Sequence, residues 1–167
     1  MNHKILPQIK ALPSFYAGVK FRSRLEARWA RYFDMIGVKW QYEPEGYELP
    51  SGNYCPDFFC SGRMETGFFV EVKPDDIDRK MVQQKLLDLC QMTDRIVVCV
   101  VGNPSLKEHW CCSKPYNEEF AKEWCEVSFS QEGMLKHGLY WGSSEWSDES
   151  YSDEASKMRF ENGVAVV

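Results

Sequence analysis

Apolar residues recur at a helical period of about 3.6 between residues 21 and 36, where Phe21, Leu25, Trp29, Tyr32, Phe33 and Ile36 share one stripe. This predicts a helix from about Phe21 to Ile36, stopped by Gly37. The period then changes. Lys39-Trp40-Gln41-Tyr42-Glu43 alternates polar and apolar, as a half-buried strand does, and Tyr47 to Leu49 reads as a further short strand. Pro50-Ser51-Gly52-Asn53 turns the chain into a strand that Pro56-Asp57 enters. Phe68 to Val72 forms the next strand, ended by Pro74-Asp75-Asp76. A second helix from about Asp78 to Met92 puts Met81, Val82, Leu86, Leu89 and Cys90 on its inner side. The continuous apolar run Ile96 to Val101 has the pattern of a strand covered on both faces.

Strand, helix and strand in succession imply a parallel pair joined by a right-handed crossover. The expected fold is therefore α/β, a mixed central sheet flanked by helices in the order α-β-β-β-α-β, with its core at about residues 16–101. A single domain spans 1–142 and begins with an extended arm over residues 1–15. Within it, Trp110 to Cys112 reads as a short strand and Asn117 to Cys125 as a short helix. Val127 to Phe129 and Leu139 to Trp141 look like edge strands. Residues 143–157 read as an acidic, serine-rich linker or disordered segment. Residues 158–167 form a possible terminal hairpin around the two-residue turn Asn162-Gly163.

Charge changes this picture only locally. The net charge is −5, but residues 143–167 carry six acids against Lys157 and Arg159, which leaves 18 basic and 19 acidic residues before them. The body is nearly neutral, so nucleic-acid affinity is not advertised by charge. Seven cysteines, an odd number at irregular spacing, predict free thiols in a reducing compartment. His109, Cys111, Cys112 and Cys125 lack the spacing of a zinc knuckle. Residues 1–10 do not read as a secretory signal, and no apolar run reaches the roughly 18 residues of a membrane span. The expectation is a soluble, cytoplasmic chain with no membrane partner.

The candidate chemistry lies at residues 55–74. Alternation along a strand projects Glu71 and Lys73 to one side and Val72 to the other. If the flanking segments pair as a hairpin, Asp57 arrives beside Glu71, and two carboxylates with an ammonium suit a hard, oxygen-ligated cation and a water held for attack. Glu26 falls on the border of the first helix's apolar stripe, within reach of a cleft. Arg22, four residues earlier, is a candidate partner for it. Lys20, Arg24, Arg28 and Arg31 form a basic face on that helix, suited to flanking phosphates or simply to solvent.

A helix carrying Glu26, a Pro56-Asp57 strand, Glu71-x-Lys73, then a helix and a buried strand together resemble the PD-(D/E)xK nuclease superfamily. The stretch from Phe21 to Ala30 and that from Trp40 to Gly46 are similar to small phage and prophage proteins of that superfamily. The resemblance covers about Tyr16 to Val101. It implies a restriction-endonuclease-like core and a magnesium-dependent DNA endonuclease of phage or mobile-element type, with manganese able to substitute. Asp57, Glu71 and the Val72 carbonyl would ligate the metal, Glu26 would join directly or through water, and Lys73 would orient the attacking water. Arg22, Lys80, Gln84 and Lys85 would contact nucleic acid. A tyrosine four residues after the glutamine would complete an exonuclease-like pattern, but Asp88 stands there. DNA is the implied partner, with a homodimer or a DNA-binding protein to supply affinity. The competing expectation is a non-catalytic interaction protein on the same core, binding a basic partner or mimicking DNA through its acidic C-terminal region.

Overall fold

The computed structural model describes residues 12–61, 67–75, 77–104, 109–112, 125–129, 135–137 and 149–166 of the 167-residue chain. It is a mixed α/β protein. Two strands, β1 (Ser14–Tyr16) and β2 (Val19–Phe21), precede the first helix, α1 (Arg24–Met35). Ala17 and Gly18 between them both have positive φ, 48° and 78°, the conformation a two-residue hairpin turn requires. The expected helix start at Phe21 is therefore corrected: Phe21 ends β2, and Ser23 caps the helix, its hydroxyl accepting from the Glu26 N–H. Phe21 fits the helical stripe and a buried strand equally well, so periodicity alone did not separate them.

Among the described residues, the central sheet has seven strands. β3 (Lys39–Tyr42) pairs antiparallel with β6 (Phe58–Ser61), and β6 pairs antiparallel with β7 (Phe68–Lys73). From β7 the helix α2 (Arg79–Thr93) crosses to β8 (Val97–Val101), which runs parallel to β7 as the pattern implied. Three antiparallel strands follow, β9 (His109–Cys112), β10 (Cys125–Phe129) and β11 (Leu135–His137), giving the order β11-β10-β9-β8-β7-β6-β3. β10 is thus an inner strand rather than an edge. Residues 139–141 and 117–124, expected as strand and helix, lie outside the described residues, as does the arm over residues 1–11. Cys125 itself begins a strand.

Alternation on β7 and β8 separates two cores. Val70, Val72, Val98 and Val100 face α1 with Trp29, Phe33 and Phe58. Phe69, Val97 and Cys99 face α2 through Leu86, Leu89 and Cys90. A sheet covered on both faces needs apolar residues at successive positions, which is why these two strands read as continuous runs. Burying each such large side chain stabilises the fold by roughly 1.5–3 kcal/mol. Leu49, on the hairpin of β4 (Tyr47–Leu49) and β5 (Gly52–Tyr54), joins the second core, so this hairpin lies on the α2 side.

The C-terminal region corrects the linker reading. Glu149–Ser156 is a helix, α3, packed against α1 with Ala155 wholly buried. Residues 143–148 lie outside the described residues. Arg31 pairs with Glu154 at 2.5 Å, Arg28 donates to Asn103 and to the Met158 carbonyl, and the Arg24 guanidinium lies 5.5 Å from the Phe160 ring centre. Of the expected basic face, Lys20 lies in β2 rather than on the helix, and Arg24, Arg28 and Arg31 of α1 all meet the C-terminal region or the loop after β8. The terminal hairpin, β12 (Arg159–Glu161) and β13 (Val164–Val166), turns at Asn162-Gly163 as expected. Through β13 it joins β1 in a second sheet, β12-β13-β1-β2. Cys55, Cys60, Cys90 and Cys99 are free thiols. Among the described residues, no helix is long and apolar enough to cross a membrane.

Candidate functional site

Asp57 sits in the bend before β6 rather than within the strand. The β6–β7 register pairs Phe58 with Val70, and one residue further it sets Asp57 opposite Glu71. Two contacts hold the Asp57 carboxylate: Oδ2 accepts from the Val72 N–H at 2.8 Å and Oδ1 from an Arg22 Nη at 2.5 Å. It is the Val72 amide, then, that engages the acid. Glu71 Oε2 accepts from the Tyr54 hydroxyl at 2.5 Å, and Oε1 pairs with Lys73 Nζ.

Glu26 is delivered by the first turn of α1. Its side chain accepts from the Ser23 hydroxyl at 2.7 Å, from the Tyr42 hydroxyl at 2.5 Å and from the Arg22 N–H at 3.1 Å. Arg22 does not pair with Glu26 through its guanidinium, as spacing suggested, because it lies before the helix. Its side chain extends to Asp57 and, through Nε, to Glu43 at 2.9 Å.

These groups share one polar cleft of about 420 Å³, lined by Arg22, Glu26, Tyr54, Asp57, Glu71 and Lys73, with Asn53, Cys55 and Val72 completing its wall. The three carboxylic residues are nearly out of solvent, at 8%, 2% and 5% exposure for Glu26, Asp57 and Glu71. Burial first, and then the negative charges of Glu71 and Glu26, push the Asp57 carboxyl up to about 8. Burial would lower the Lys73 ammonium, but attraction and a hydrogen bond from Glu71, with Asp57 beyond, outweigh it and hold Lys73 above its ordinary value. Burial and Glu71 likewise raise the Tyr54 phenol, keeping it a hydrogen-bond donor. A larger depression, about 610 Å³, lies beside Phe15, Tyr16, Val164 and Ala165, but its wall is mostly apolar and carries no comparable chemistry.

The donor set fits a hard divalent cation. Carboxylates crowded enough to raise one another's proton affinity are relieved by positive charge, and magnesium keeps several waters while taking one or two carboxylates. Asp57 and Glu71 could hold one, with Glu26 at the same cleft. Each acid is engaged by its own partner, and among the described residues no three His, Cys, Asp or Glu side chains are grouped to close a metal shell directly.

The expected nucleic-acid contacts divide. Arg22 lines the cleft, whereas Lys80, Gln84 and Lys85 do not. The Gln84 amide donates to Asp88 Oδ1 at 2.8 Å, and Asp88 Oδ2 accepts the Ser51 N–H at 3.0 Å, so Gln84 steadies the tie between α2 and the β4–β5 turn. Lys80 is exposed near the start of α2. Sequence reasoning missed Ser23, Tyr42 and Tyr54 as partners of the acids. Ser23-x-x-Glu26 is a capping-box spacing and would have found the first. Tyr54 had no such signal, because a hairpin with no residue in the motif carries it in. No family model matches the chain, and no curated protein or solved structure matches it.

Proposed function

We propose that the chain is a magnesium-dependent DNA endonuclease of phage or mobile-element type, built on a restriction-endonuclease-like core, with manganese able to replace magnesium. The observation that carries this reading is the convergence of Asp57, from the bend before β6, with Glu71 and Lys73 of β7 in one polar cleft that Glu26 joins from α1. The reaction adds water across a P–O ester bond, leaving a phosphate monoester and a hydroxyl. Asp57 and Glu71, with the Val72 carbonyl, would hold the cation, which supplies charge neutralisation and a nucleophilic oxygen near neutral pH. Glu26 would act directly or through water.

Lys73 remains an ammonium at neutral pH, so its work is donation and charge stabilisation rather than proton removal. A compact ammonium pinned by Glu71 can direct a water or a non-bridging phosphate oxygen. Tyr54 fixes the Glu71 carboxylate, which in turn fixes Lys73. The near-neutral body supports a cleavage unit whose DNA affinity comes partly from a second copy or a DNA-binding partner, since phosphate contacts dominate such affinity. In the rival reading, a partner-binding acidic region, one of its acids, Glu154, is paired with Arg31 inside the chain.

Supercoiled, linear, single-stranded and branched DNA incubated with Mg²⁺ or Mn²⁺ test the proposal directly. Cutting should require the metal and fall about 100-fold or more in Asp57→Ala and Lys73→Ala. An intact substrate in every case, or variants as active as the unaltered chain, would remove the enzymatic reading.

A further inference from the structure

Arg22 is the one cleft residue whose cation is mostly in solvent. Its side chain is 59% exposed, against 3% for the Asp57 carboxylate it covers. Its backbone is nevertheless fixed: the Arg22 N–H donates both to Glu26 Oε2 at 3.1 Å and to the Tyr42 hydroxyl at 3.0 Å. The anchored backbone thus carries an exposed, charged fork that bridges Asp57 and Glu43 across the mouth of the acidic cleft. Asp57 Oδ2 accepts from the buried Val72 amide, so Oδ1, the oxygen held by the exposed Arg22 side chain, is the one that a change of partner can free for a cation.

A guanidinium and a divalent cation at the same carboxylate oxygen repel one another, and only the guanidinium has somewhere to go. Its planar fork matches a phosphate as well as a carboxylate, and phosphates of a nucleic-acid strand are the anions brought to this cleft. We propose that Arg22 is the built-in counter-cation of the cleft: it covers Asp57 until a divalent cation arrives, then turns to a phosphate oxygen of the strand. Cation and nucleic acid are thereby bound cooperatively. The inference rests on the metal-dependent reading above and extends it by assigning an exchange of partners to one residue. Linkage requires the coupling to be reciprocal, so the strand tightens the cation by the same factor as the cation tightens the strand.

Calorimetric titration with Mn²⁺ alone reads the first half of the exchange. Arg22→Gln should bind Mn²⁺ about tenfold more tightly than the unaltered chain, within the usual range of coupling between sites. Arg22→Lys, which keeps the charge on an exposed stem, should stay near the unaltered value. Thermal melting establishes that each variant is folded. For the second half, a DNA oligonucleotide is titrated into Lys73→Ala protein, which suppresses cutting, with and without Mn²⁺. The metal should tighten DNA binding when Arg22 is present and lose that effect when Arg22→Gln is added. Unchanged or weaker Mn²⁺ binding by folded Arg22→Gln, or the same metal effect on DNA without Arg22, overturns the inference. Glu71→Gln separates the two levels. If it loses Mn²⁺ while Arg22→Gln gains nothing, only the exchange fails; if no form binds Mn²⁺, or Glu71→Gln binds it unchanged, the cation centre fails as well.

Discussion

Asp57 carries the tension of the cleft. In the folded chain its carboxyl is raised to about 8 by burial and by the charges of Glu71 and Glu26, whereas an aspartate in an unfolded chain titrates near 4. The folded state therefore gives up this proton less readily than the unfolded state does, so without a cation the raised carboxyl erodes stability as pH rises. Thermal melts in chelator from about pH 5 to about pH 8 should show Asp57→Asn gaining on the unaltered chain. The advantage should widen steadily toward about pH 8, while DNA cutting is lost. Added Mg²⁺ should close that gap by stabilising only the unaltered protein. A constant difference between the two proteins across this range would contradict the electrostatic account. Asp57, Glu71 and Lys73 were legible from spacing because strand alternation and an antiparallel pair are local rules. The Arg22–Asp57 contact was not, since it joins residues 35 apart through the entry into α1.

At the level of elements, α1 shows how one short motif serves two purposes. Ser23 caps the helix through the Glu26 N–H and also donates its hydroxyl proton to the Glu26 carboxylate, so the signal that begins the helix also aims an acid into the cleft. Ser23→Ala should lower stability in urea unfolding by about 1 kcal/mol, the usual value of an N-cap. It should also weaken cutting by leaving Glu26 to Tyr42 and the Arg22 N–H. Unaltered stability would mean the cap contributes nothing here. The second helix and the β7–β8 pair followed the pattern closely, because a parallel crossover demands continuous apolar strands and an amphipathic helix between them. Among the short strands, β4 was legible as Tyr47 to Leu49, whereas β1, β2 and β5 carry too few residues for a period to declare itself, and the β1–β2 turn is set by positive φ at Ala17 as much as by glycine.

For the whole molecule, the C-terminal region is part of the body. α3 lies on α1, the terminal hairpin extends the β1–β2 sheet, and arginines of α1 meet acid, carbonyl and aromatic partners from it. Ala155 has no exposed surface, so Ala155→Asp buries a carboxylate without a partner and should cost about 3 kcal/mol. Urea unfolding should remain a single transition with a lower midpoint. A midpoint equal to that of the unaltered chain would show that α3 does not share the cooperative core.

Sequence alone determined the central crossover, the apolar strands, the terminal turn and the trio of Asp57, Glu71 and Lys73, since each follows from a repeat of a few residues or a pair of adjacent strands. Tertiary structure decided that Tyr54 clasps Glu71, that Arg22 covers Asp57 and that an acidic, serine-containing stretch becomes a docked helix. Those outcomes depend on desolvation and charge pairing between distant segments, and both arise only when the sheet and helices have come together.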